Sequence, residues 1–193
     1  ETRAPASNPQ GRLAVTRAYL ADLSPDLRAR ATRVKALALD VDGTLSDGRL
    51  WFTSDGKELK AFHVLDGQGM KLLRDHGIEV AIITARESPV VRNRASELGL
   101  RHVYQGSHDK LDSLGHLCRM LSITPEQVAY MGDDLPDLPV LRAAGLAVAP
   151  ANAHPWVSEH AHWQTQAGGG EGAVRELCDA ILLAQGKVDA ILQ

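Results

Sequence analysis

The sequence predicts an α/β domain, a mostly parallel sheet with helices on both faces. Short apolar runs alternate with helical patterns from about residue 35 to 185. Each run is continuously apolar rather than alternating, as strands buried on both faces require. A length of 193 residues suits one compact domain, large enough to bury roughly 70% of its unfolded surface without disulfide staples.

Each element has its own signal. Residues 1–11 carry Pro5, Pro9 and Gly11 among small polar residues and read as a loose tail. A short helical stretch follows, and Ser24-Pro25 proposes a second, an N-cap with proline at the first helical position. Residues 1–33 thus form an N-terminal tail with short helices, and 34–187 form the domain. Residues 35–41 (KALALDV) are the first buried strand. Residues 49–64 interrupt the alternation: RLWFT and KELKAFHV flank Ser54-Asp55-Gly56. Asp-Gly between strand-like runs signals a hairpin, and Trp51, Phe52 and Phe62 lie in it. A helix from Asp66 to His76 is closed by Gly77, and 78–84 (IEVAIIT) is the second buried strand. Ser88-Pro89 opens a helix that Gly99 closes, and 102–105 is a brief strand. A helix over 109–121 precedes a turn at Thr124-Pro125 and a strand at 127–131 (QVAYM). A helix over about 134–144, a strand at 146–149 and a helix over about 172–185 complete the pattern.

Composition excludes several functions. Twenty-one Lys+Arg against 24 Asp+Glu give a formal charge of −3, with no basic stripe for phosphate-backbone binding. Eight aromatics are too few for a stacking platform on single-stranded nucleic acid. No apolar run approaches the ~20 residues of a membrane span. Cys118 and Cys178 make no disulfide framework and suit a reduced chain, and no leader pattern opens the sequence, so a cytoplasmic protein is expected. His154, His160 and His162 lack ligand spacing and read as exposed loop histidines. Gly168 to Ala173 fits G-x-G-x-x-A, but no βαβ unit follows, and a flexible tether is the plainer reading. An enzyme or small-ligand binder remains.

The strand ends carry its chemistry. Strand 35–41 contains Asp40 and runs into Asp42, strand 78–84 ends in Thr84 with Arg86 beyond, Lys110 follows strand 102–105, and strand 127–131 runs into Gly132-Asp133-Asp134. In a parallel sheet these gather at one edge, where ligands bind. Each alone has a bland reading: Asp42-Gly43 a turn, Thr84 a cap, Lys110 a solvated residue, Asp133-Asp134 an N-cap pair. Asp40 and Asp42, however, place two carboxylates together with no cation beside them in the sequence, which is costly unless a metal or function compensates. Phosphoryl transfer suits the set. Asp40 can form an aspartyl-phosphate, and Asp42 can protonate the leaving alkoxide and then activate water. Asp40 and Asp133 can hold Mg²⁺, while Thr84 and Lys110 hold the phosphoryl oxygens.

DVDGTL at 40–45, Thr84, Lys110 and GDDLPD at 132–137 resemble, in order, the four motifs of haloacid dehalogenase-like phosphohydrolases. The resemblance implies a three-layer Rossmann-like core, with Asp40 as nucleophile and Asp42 as acid/base. It also implies Mg²⁺ held by Asp40, the Asp42 carbonyl and Asp133. Neither interval between motifs has room for a cap, so the domain is capless with a protruding hairpin. DGTLSDG, FHVLDGQGMKLL at 62–73, YQGSHDK at 104–110 and GGGEGAVRE at 168–176 further resemble the 3-deoxy-D-manno-octulosonate 8-phosphate phosphatases of lipopolysaccharide biosynthesis. That similarity implies a homotetramer built by the hairpin, with active sites at subunit interfaces and the glycine-rich C-terminal tail, from about 168, reaching toward a neighbouring site. Asp42, His63, Val64, Leu65, Asp66, Gly67, Lys71, Arg86, Arg94 and Lys110 would contact the phosphosugar acid. Arginine forks suit its carboxylate and phosphate. Two positions depart from the pattern: Ala85 stands for glycine, and Lys71 for arginine, keeping charge but losing the fork. A nine-carbon, sialic-type sugar acid 9-phosphate is the alternative substrate. A non-catalytic phosphosugar-binding protein is the alternative of another class, though such a chain would be expected to have lost Asp40 or Asp42.

Overall fold

A computed structural model describes residues 23–193. The tail expected at 1–11 and the first short helix lie outside the described residues. The second helix is present as α1 (Pro25–Thr32), with the Ser24 hydroxyl accepting from Leu27 N–H. The sheet strands that follow are β1 (Ala36–Leu39), β4 (Glu79–Ile83), β5 (His102–Tyr104), β6 (Val128–Met131), β7 (Leu146–Ala149) and β8 (Trp163–Gln164). They lie in the order β5-β4-β1-β6-β7-β8, every neighbouring pair parallel. β2 (Trp51–Phe52) and β3 (Glu58–Leu59) pair antiparallel outside this sheet as the expected hairpin, shorter than its sequence pattern.

Helices cover both faces because side chains alternate along each strand. Leu37, Leu39, Val80, Ile82 and Met131 pack against α1, α2 (Val64–Asp75), α3 (Pro89–Glu97) and α7 (Ala173–Ala184) through Leu27, Met70, Val91 and Leu177. Ala36, Ala38, Ala81, Ile83 and Tyr130 face α4 (Lys110–Leu121), α5 (Leu138–Ala143) and α6 (Pro155–Ser158) through Leu114, Leu117, Leu141 and Val157. α8 (Val188–Ile191) follows α7. Several elements differ from expectation, and the short helices α6 and α8 were not anticipated. The helix over 134–144 is split into a 3₁₀ turn at Leu135–Asp137 and α5, each with proline in its first turn. β8 was not anticipated; its two residues gain their place by pairing with Val148 and Ala149.

The topology positions the site. From central β1 the chain builds outward through β4 and β5, then returns to the other side through β6, β7 and β8. The carboxyl ends of β1, β4 and β6 therefore meet at the switch point, where open α/β sheets bind ligands.

Candidate active site

Asp40 follows β1 directly, and its N–H donates to the Met131 carbonyl at 3.0 Å, extending the β1–β6 ladder to the sheet edge. Its carboxyl is buried, with Oδ1 2.9 Å from Lys110 Nζ. Lys110 opens α4 and also reaches Asp137 Oδ1 at 2.7 Å. Burial opposes the charge on Lys110, but Asp40 and Asp137 outweigh it and hold the ammonium above its ordinary value.

Asp137 is a residue that sequence reasoning left unassigned. Its Oδ1 also accepts from the Tyr130 hydroxyl at 2.5 Å, and its Oδ2 accepts from the N–H groups of Asp133 and Asp134 at 3.1 and 3.2 Å. Both oxygens are engaged twice by the protein, which makes Asp137 a positioning residue for Lys110 and the Asp133 loop. Its place in GDDLPD was the available signal.

Carboxylate oxygens of Asp40, Asp133 and Asp137 lie within 4.8 Å of one another. Burial, then the Asp137 charge, pushes Asp40 up to about 6 despite Lys110. Burial, then Asp40 and Asp137, pushes Asp133 up to about 7. Asp133 Oδ1 is buried with no hydrogen-bond partner. An orphaned oxygen among crowded carboxylates fits a hard divalent cation on Asp40 and Asp133, since Asp137 is already satisfied.

Thr84, at the end of β4, is buried, and its N–H donates to the Tyr104 carbonyl at 2.9 Å. It lines one open cleft with Asp40, Asp42, Arg86 and Lys110. Asp42 contacts Lys60 through Oδ1 and lies 3.8 Å from Arg86 through Oδ2. The expectation that Asp40 and Asp42 lack cations is therefore corrected. Lys110 and Lys60 arrive from α4 and the hairpin, too far along the chain for local sequence to show.

The glycine-rich segment is also corrected: it is no loose tether. Gly170 N–H donates to the Thr44 carbonyl at 3.0 Å. Asn152, likewise not foreseen, joins the Gly43 carbonyl (3.1 Å) to the Gly169 N–H (2.6 Å). A Cβ on Gly169 would collide with the Gly43 carbonyl, so the segment is packed against the chain's own loop after β1. Gly43 itself has φ +89°, and a Cβ there would strike the Asp133 carboxyl.

His63, Asp66, Gly67 and Arg94 are brought together in a separate recess with Leu45, Phe62 and Met70. His63 caps α2, its Nδ1 accepting from Leu65 N–H at 3.3 Å. Asp66 is buried, which raises its carboxyl above the usual range, and it accepts from Arg175 N–H at 2.8 Å. Val64, Leu65 and Lys71 are exposed and line neither recess. His154, His160 and His162 are exposed, as expected.

A profile of haloacid dehalogenase-like hydrolases matches residues 96–177. The 3-deoxy-D-manno-octulosonate 8-phosphate phosphatase of Escherichia coli K12 is 50% identical over 167 residues, 86% of this chain and 89% of that protein. The chain belongs to this phosphatase family. Solved members share the α/β architecture. The enzyme from Yersinia pestis superposes with TM-score 0.85 at 48% identity, covering 86% of this chain and 90% of that one. The Moraxella catarrhalis phosphatase, solved with magnesium, phosphate and the octulosonate sugar, gives TM-score 0.86 at 44% identity over 88% and 98% of the two chains. The resemblance read in the motifs and the fold class are thus both shown.

Proposed function

We propose that this chain hydrolyses 3-deoxy-D-manno-octulosonate 8-phosphate to the free sugar acid and phosphate, a step toward lipopolysaccharide. The observation that carries it is the meeting of Asp40, Asp42, Thr84, Arg86 and Lys110 in one cleft at the switch point, in a chain half identical to named enzymes of that activity. Asp40 is the nucleophile: it attacks phosphorus, and the phosphoryl group moves onto its carboxylate. Asp42 gives its proton to the departing sugar oxygen, then takes one from the water that cleaves the aspartyl-phosphate. Thr84 and Lys110 hold the equatorial phosphoryl oxygens, where transition-state charge is spread. Asp40, Asp133 and the Asp42 carbonyl would hold Mg²⁺, which when bound would supply charge neutralisation at the transferring group.

The substrate's sugar acid is read by Arg86 and by the recess of His63, Asp66, Gly67 and Arg94. Val64, Leu65 and Lys71 have no place in either recess of their own chain, which supports a site shared between subunits. Exposed Leu50, Trp51, Phe52 and Leu59, each more than half accessible on the hairpin, support its use as the seam of a homotetramer. Among the described residues no helix is long and apolar enough to cross a membrane. The setting we infer is the cytoplasm.

A phosphate-release screen over eight- and nine-carbon sugar acid phosphates tests the reading. The eight-carbon 8-phosphate should show the higher kcat/KM by roughly tenfold or more, because a misfitting analogue leaves buried polar groups unpaired. Equal or faster turnover of the nine-carbon 9-phosphate would transfer the assignment to the sialic-type substrate.

A further inference from the structure

Lys60 is a charged group beside the cleft to which the reaction above gives no task. It sits one residue beyond β3, at the base of the hairpin, yet its side chain is only 1% exposed. An unpaired ammonium so buried would be strongly disfavoured. Two carboxylates compensate it: Asp42 Oδ1, in direct contact, and Glu58 Oε1 at 3.2 Å. Glu58 is fixed in turn by Arg86 at 2.8 Å and by the Ser88 hydroxyl. Arg86 then faces Asp42 Oδ2 at 3.8 Å, which closes a ring of alternating charge from Asp42 through Lys60, Glu58 and Arg86. The ring joins the hairpin to the loop after β4. Among the described residues, Asp42 Oδ2 is left without a hydrogen bond.

We propose that Lys60 is a positioning residue for proton transfer at Asp42, holding Oδ1 so that Oδ2 meets the leaving group. The inference rests on Asp42 being the acid and base. In the first half-reaction an Asp40 oxygen bonds to phosphorus and the bond from phosphorus to the sugar oxygen breaks. That oxygen keeps the electron pair and takes the Asp42 proton. In the second, a water oxygen bonds to phosphorus and gives a proton to Asp42, and the bond from Asp40 to phosphorus breaks. A carboxylate free to rotate would meet the leaving oxygen in only part of its orientations, and small misplacements of a catalytic group are expensive. Lys60 removes that freedom from the hairpin side.

Single-turnover leaving-group release isolates the first half-reaction. It is measured for Lys60→Met and Lys60→Arg on the eight-carbon sugar phosphate and on 4-nitrophenyl phosphate, whose leaving group departs without a proton. Lys60→Met should slow release from the sugar phosphate by about 10–100-fold, and from the aryl phosphate by less than about threefold, with partial recovery in Lys60→Arg. Equal losses on both substrates would reduce Lys60 to a structural tie, and no loss would end the proposal. Asp42→Asn is measured alongside. If its loss depends on the leaving group while that of Lys60→Met does not, Lys60 alone is refuted; if its loss shows no such dependence, the acid reading of Asp42 falls first. Should Lys60→Met not fold, Glu58→Gln frees Lys60 from its anchor while keeping its charge. An unchanged ratio between the two substrates in that variant also overturns the proposal.

Discussion

Asp40 and Asp133 belong to a cluster in which carboxylates outnumber cations, and burial raises both above the usual range, to about 6 and about 7. A folded-state pKa above the unfolded one means the native chain binds the proton more tightly. Each group's stabilising contribution is complete below the ordinary value of 3.8 and is lost as pH rises through 6 and 7. Mg²⁺ competes with those protons, so its stabilising effect runs the opposite way. Saturating Mg²⁺ should raise Tm by about 3–6 °C near pH 8 and by less than about 1 °C near pH 5. Scanning calorimetry at the two pH values checks this, and equal shifts would take the cation off these carboxylates. Asp40→Asn should lower kcat by roughly 10³-fold or more. Its Tm should stay within about 4 °C of the parent, because Lys110 keeps Asp137. At this scale the sequence was informative wherever a residue stood at a strand end, as Asp40, Thr84 and Asp133 do. Lys60 and Asn152 act through contacts distant in sequence, and nothing local marks them.

Helices opened by a Ser-Pro pair were legible, since proline at the first helical position acts within one turn: α1 and α3 begin at Pro25 and Pro89, although only Ser24 caps with its hydroxyl and the Ser88 hydroxyl donates to Glu58 instead. β8 was not, because two residues hold no periodicity and Trp163-Gln164 form a strand only beside β7. The segment 168–172 misled for a related reason. Its glycines look like slack in one dimension, but in three they let the backbone approach the Gly43 and Thr44 carbonyls. Gly169→Ala should therefore destabilise the fold by about 1–3 kcal/mol through overpacking. It should also lower kcat by roughly tenfold, as the catalytic loop shifts. Thermal denaturation with steady-state kinetics measures both, and an unaltered enzyme would show that this contact is dispensable.

At the scale of the whole molecule, Trp51 and Phe52 of the hairpin are exposed in the single chain, and the homotetramer we propose would cover them. If the hairpin is the seam of the proposed tetramer, Trp51→Asp should move the particle toward smaller species in light scattering. It should also reduce kcat/KM by about 10-fold or more, since the substrate contacts proposed for Val64, Leu65 and Lys71 would need a neighbour. An unchanged size would refute this use of the hairpin. Continuously apolar strands and helical caps determined the α/β class and the chain order of the motifs, because burial pattern and capping are local properties of sequence. Tertiary structure alone decided which cation serves which carboxylate. Strand order brings β1, β4 and β6 side by side, and only then do Lys110 from α4 and Lys60 from the hairpin come within reach of Asp40 and Asp42. Coulombic pairing falls off with distance through space and takes no account of separation along the chain.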